Sequence, residues 1–243
     1  MSLFYNGKKY LEKKYTQESE YEGAVAQNSK MIFGENTIYF DIKKKMNTKL
    51  SGGCIPDGFL FDFSNTKNPV LYLVEVELAK HSFDKHILPQ VTKFINICKN
   101  EAKGHDLIDT LYNFIQSNEQ LKAEFMTYLG SNELYKSLTD IVSDMENILV
   151  IIDGHKSELA EIGSTYAEWE DYVRVMVVRE YAINSDSIFT SEPDLHALDV
   201  PLSMDNVDEA VEDSDIPAQI DEDFHFQRRN VKPHIKTIYM AIK

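Results

Sequence analysis

The period of the apolar residues changes several times along the chain, and each change marks an element. Val25, Ile32 and Phe33, with Ser29 between them, recur at helical spacing and Gly34 follows as a stop, so residues 19–33 are expected to form a helix. Glu18 and Glu22 extend the same inward stripe. Residues 37–42 then alternate as a strand does, Gly52-Gly53 marks a turn, and 55–63 is a strongly apolar strand. A turn over 64–69 leads into a further strand over 70–78. These segments predict an antiparallel meander. The two later strands are apolar at successive positions, which is the pattern of a sheet covered by helices on both faces.

From 86 to 98 the helical period returns, with Val91, Phe94, Ile95 and Cys98 as the buried stripe and Pro89 tolerated in the first turn. Residues 106–146 predict further helices, broken near Ser117-Asn118 and Gly130-Ser131. The apolar runs 148–152 and 172–181 read as buried strands that complete the sheet, and a closing helix is expected over 231–242 after Pro233. The expected class is α/β, with a mixed central sheet flanked by helices. Its core is 1–100 and 147–183, with a helical insertion or lobe over 101–146, an acidic loop or linker over 184–223, and a C-terminal helix within 224–243 packing on the core. No internal repeat is visible.

Composition narrows this picture. With 243 residues, 43% of them hydrophobic, the chain can bury one large core, or a core with an appended lobe, which excludes a disordered or fibrous protein. No apolar run has the length of a signal peptide core or a membrane span, so a cytoplasmic protein with no membrane partner is expected. Cys54 and Cys98 have no Cys-x-x-Cys spacing and are expected to be reduced and structural. The net charge of -15 argues at first against a polyanionic partner. However, 13 acidic residues and no lysine or arginine lie within 186–223, so the rest of the chain is nearly balanced. Lys30, Lys43, Lys44, Lys45 and Lys49 give the N-terminal half the means for a positive surface. The acidic run itself is expected to be a solvated loop, with mimicry of nucleic acid over a basic groove as the alternative. A homo-oligomer is left open.

The candidate chemistry lies in the strands. Side chains two apart on a strand share a face, so Glu75 and Glu77 project together from an otherwise apolar segment. If 55–63 and 70–78 pair as a hairpin, Asp57 comes to lie about 5 Å away on the neighbouring strand. Three carboxylates gathered at low dielectric must take up protons or hold a hard cation, and oxygen-only ligands favour Mg2+ or Mn2+. Taken singly, each residue reads as surface: Asp57 before Gly58 starts turns, and lone glutamates end exposed edges. Their joint placement favours the site.

Ile55-Pro56-Asp57-Gly58, a hairpin gap, Val74-Glu75-Val76-Glu77 and a following helix with Gln90 resemble the motif of the PD-(D/E)xK nuclease superfamily, in which a Pro-Asp strand precedes an acidic-x-Lys strand. The resemblance covers about 19–98 and extends less distinctly to 181. It implies a restriction-endonuclease-like core and metal-dependent hydrolysis of phosphodiester bonds, with DNA as the partner and Asp57 and Glu75 as metal ligands. Glu77 stands where that motif has lysine, as in its Glu-x-Glu variant, which implies a further ligand or a general base. Lys80 or His81 would then bring positive charge or a proton donor, Lys80 by contact with phosphate. The same substitution supports an alternative, a catalytically inactive module that binds nucleic acid or protein. The resemblance also offers Glu22 as a first-helix ligand, against a capping box from Ser19 to Glu22, and Gln90 as a residue that orients the metal water, against a solvated helix glutamine. His81 and His86, five apart, fit no zinc signature, and Asp153-Gly154-His155 reads as turn chemistry.

Overall fold

The structure is a computed structural model that describes residues 1–41, 55–130, 132–143, 145–160, 169 and 172–197. The chain divides into two units, Met1–Leu3 with Tyr10–Asp199, and Phe4–Lys9 with Val200–Lys243. The first holds the core and the site. Of the second, the described residues are the turn at Asn6-Gly7 and its flanks, where φ is 47° and 71° as a two-residue Asn-Gly hairpin requires. That turn joins strands β1 (Ser2–Tyr5) and β2 (Lys8–Glu12).

Helix α1 (Glu18–Gln27) is followed by α2 (Ser29–Phe33). The single helix expected over 19–33 is therefore two, because at Asn28 both the backbone N–H and the side-chain amide donate to Ala24 O. The capping box is not formed: α1 begins at Glu18, Gln17 is its N-cap, and no side chain caps it.

Strands β3 (Thr37–Phe40), β4 (Gly58–Asp62) and β5 (Val70–Glu77) form the expected antiparallel meander. Pairing begins at Gly58 and not at 55, since Pro56 lacks the N–H a ladder needs and Asp57 lies in a bend. The expected turn at Gly52-Gly53, lysines 43, 44, 45 and 49, and Cys54 lie outside the described residues.

After β5 a π-helical turn, Phe83–Ile87, runs into α3 (Leu88–Cys98), with Pro89 in its first turn as expected. Next come α4 (Glu101–Gln116), α5 (Glu119–Leu129) and α6 (Leu134–Ser143). α4 starts earlier than the apolar pattern suggested because the Asn100 side chain caps it, accepting from Lys103 N. Asn118 caps α5 in the same way, accepting from Leu121 N.

Strand β6 (Asn147–Ile152) lies parallel to β5. A short helix, α7 (Ser157–Ala160), precedes β7 (Val173–Ile183), which is parallel to β6. The acidic loop expected from 184 onward is corrected by β8 (Asp186–Glu192), which pairs antiparallel with β7 along its length. Ile188, Phe189 and Thr190 supply strand propensity, and Asn184 at φ 55° makes the tight turn. Charge alone was a poor guide there. The remainder of the acidic run and the expected closing helix over 231–242 lie outside the described residues.

The sheet runs β1-β2-β7-β6-β5-β4-β3, with β8 on β7, and mixes parallel and antiparallel pairs. Both faces are covered. On one, Phe59, Leu73, Val150 and their neighbours join the apolar stripes of α3 to α6 in a single cluster. The helical segment expected as an insertion or lobe is thus the outer layer of the main core, and it forms the crossover that a parallel β5–β6 pair demands. On the other face, Tyr21, Val25, Ile32 and Phe33 of α1 and α2 pack on Leu60, Val74, Val76, Leu149 and Met176. Cys98 borders the first cluster, and burial pushes its thiol up to about 12, in keeping with a structural role. No helix among the described residues is long and apolar enough to cross a membrane.

Candidate metal centre

The β4–β5 register that pairs Gly58 with Val74 brings Asp57 alongside Glu75. Asp57 N donates to Val74 O at 2.9 Å, and Asp57 Oδ2 accepts from Val76 N at 2.6 Å. The Asp57 carboxylate is thereby fastened to β5 between the two glutamates. Exposures of 2% for Asp57, 4% for Glu75 and 2% for Glu77 place all three carboxylates in the interior, which is costly for charge without a partner or an ion.

By strand alternation Glu75 and Glu77 continue the face of Leu71 and Leu73 and pair in the sheet with Val150 and Ile152. Glu77 ends the strand, and its Oε1 accepts from Leu78 N at 3.0 Å. Tyr39 covers the other side of Gly58: a Cβ built there would lie 2.4 Å from the Tyr39 ring. Burial, followed by the charges of Asp57, Asp41, Glu22 and Glu75, pushes the Tyr39 hydroxyl well above its ordinary range. The phenol stays protonated beside an acidic neighbourhood.

Two sets of side chains converge. Glu18 and Glu22, one turn apart on α1, meet Asp57 so that one oxygen from each lies within 4.8 Å of the others. Glu77, His81 and His86 form a second set with the same property. His81 joins the two, since its Nδ1 contacts Glu77 Oε1 and lies 3.4 Å from Glu18 Oε2. Among the described residues, Glu75 belongs to neither set of three.

Gln90 is half-buried in the first turn of α3, where its Oε1 accepts from Lys93 Nζ at 3.3 Å. Lys80 is exposed and donates to Thr16 O at 2.6 Å, so it steadies the backbone leading into α1. Asp153 Oδ1 accepts from Ala79 N at 2.7 Å, and Lys156 Nζ donates to His81 O at 2.8 Å. These two residues at the end of β6 hold the loop that presents His81. Sequence reading gave Asp153 only a turn role and passed over Lys156. The available signal was the Asp-Gly at the end of β6, next in the parallel order to the strand that carries the glutamates.

No known family model matches the chain, and comparison with curated proteins and with solved structures finds no match. Donor chemistry is therefore what connects the site to a function. Oxygens bound to one hard cation at about 2.1–2.5 Å lie up to about 4–5 Å apart. The set of Glu18, Glu22 and Asp57 has that spacing and only oxygen donors, which fits Mg2+ or Mn2+.

Proposed function

We propose that this chain is a metal-dependent nuclease that hydrolyses phosphodiester bonds in DNA, acting in the cytoplasm and built on a restriction-endonuclease-like core. The observation that carries the reading is the position of Asp57, a buried carboxylate tied by Val76 N between Glu75 and Glu77 and gathered with Glu18 and Glu22 of the first helix. The order helix, antiparallel meander, helix and parallel strand adds support, being the order that the PD-(D/E)xK resemblance implies. When bound, Mg2+ or Mn2+ supplies polarisation of a water and neutralises charge that grows on the phosphate. Asp57, Glu22 and Glu18 hold and orient that ion, with Glu75, beside Asp57 in the β4–β5 register, as a further ligand. Glu77 serves as a further ligand or takes the proton of the attacking water. Gln90 positions the water, and Lys80 reaches phosphate by releasing the Thr16 carbonyl.

Incubation of supercoiled plasmid with the full chain and Mg2+ or Mn2+ tests the reading. Nicked or linear product is expected, reduced to background in Asp57→Ala and Glu75→Ala. A second reading, a nuclease-like module without catalysis, is favoured by one observation: Glu77 replaces the motif lysine, and the nearby Lys80 is engaged with backbone carbonyls. DNA retention with no cleavage under any divalent metal would select that reading and remove the first.

A further inference from the structure

The second side-chain set differs from the first in kind. Glu77 supplies a carboxylate whose side chain is only 3% exposed, His81 is half-buried, and His86 is exposed at the mouth of the group. The two imidazole rings face one another with centroids 5.0 Å apart and planes 31° apart. Their five-residue spacing spans the strand exit and the π-helical turn Phe83–Ile87. His86 lies within that turn, one residue before its end. π-helical turns are rare and concentrate at functional sites.

We infer that Glu77, His81 and His86 form a binding site for a transition-metal dication of the zinc type, distinct in chemistry from the oxygen-only set of Glu18, Glu22 and Asp57. Imidazole nitrogens suit zinc, cobalt and nickel and are poor partners for magnesium. Tetrahedral ligands of zinc lie about 3.4 Å apart. The three donor atoms lie within 4.8 Å of one another; Glu77 and His81 touch directly, so the ion replaces that contact, with the exposed His86 turning in as the third ligand. Three protein ligands leave a fourth position for water or a substrate oxygen, as sites that act on a ligand do. Asp153 and Lys156 form the supporting layer, because they fix the loop from which His81 projects. The site shares Glu77 with the nuclease reading and does not depend on it.

The test uses the full chain stripped of metal by a chelator and titrated with Zn2+ by calorimetry and with Co2+ by visible absorption. With excess Mg2+ present to fill the oxygen-only set, one equivalent should bind, and Co2+ should give the bands of a nitrogen-ligated, low-coordinate ion. His86→Ala and His81→Ala should each weaken binding at least ~10-fold, the lower bound set by the loss usual for a supporting residue alone. His86 is exposed, so its variant keeps the fold, which circular dichroism verifies. Asp57→Ala should retain the ion, since Asp57 is outside this set. Unchanged affinity in His86→Ala, no binding by the wild type, or loss of the ion in Asp57→Ala but not in the histidine variants would each overturn the inference. DNA cleavage is not the readout, so failure of the nuclease reading leaves the result intact.

Discussion

Glu180 on β7 shows how a buried carboxylate is kept when partners surround it. It accepts from the Tyr15 hydroxyl, from Lys13 Nζ at 3.0 Å and from Ser187 Oγ at 2.7 Å, with 5% of its surface exposed. Burial by itself would raise this carboxyl. The hydrogen bonds from Tyr15, Ser187 and Lys13, together with the Lys13 charge, outweigh burial and hold it below its ordinary value of 4.5. A depressed carboxyl contributes stability in full above that value and loses it as pH falls through the folded one. Thermal melting of Glu180→Gln should therefore show a shallower fall between about pH 5 and pH 3 than the wild type. At neutral pH the variant should be less stable by about 1–3 kcal/mol, because the Tyr15 and Lys13 donors lose a charged acceptor. Glu180 was not singled out from the sequence, since one glutamate in an apolar strand announces no partner. Tyr15 and Lys13 reach it from the segment after β2, and Ser187 from β8.

Gly58 decides how β3 and β4 meet the site. The Tyr39 ring occupies the space a side chain would need, 2.4 Å from an ideal Cβ, so Gly58→Ala must displace the ring or the strand. A loss of about 1–3 kcal/mol is expected in urea unfolding, the usual cost of overpacking. At this scale the apolar periods gave most elements: the meander, the α4–α5 and α5–α6 breaks, and strands β6 and β7 stand where they were expected. Three errors share one cause. Asn28 splits the first helix, Asn100 extends α4, and Asn184 turns β7 into β8, each through a local side-chain bond or a positive φ that hydrophobic periodicity does not register. Composition added a further error by making 186–192 look like a loop when its alternate residues pair with β7.

For the molecule, the controlling feature is a sheet buried on both sides. Leu73 belongs to the cluster beneath α3 to α6 and Leu149 to the cluster beneath α1 and α2, and both are fully buried. Leu73→Ala and Leu149→Ala should each cost ~2–5 kcal/mol in denaturant unfolding. A one-sided sheet would show the loss for one of them only. The same arrangement accounts for the site's location. Helix α1 lies over one face and the π-helical turn follows the end of β5, so groups from both sides of the sheet meet where β5 stops.

Periodicity by itself determined that the chain folds as α/β, that β3 to β7 are strands, and that Asp57 lies beside Glu75, because alternation and hairpin pairing are local consequences of backbone geometry. Which donors converge was decided only by the tertiary structure. Asp57 joins Glu18 and Glu22, and Glu77 joins His81 and His86, through helix packing and through a loop held by Asp153 and Lys156. Those contacts link residues distant in sequence, and their distances depend on the closure of intervening segments, a quantity that no spacing along the chain encodes.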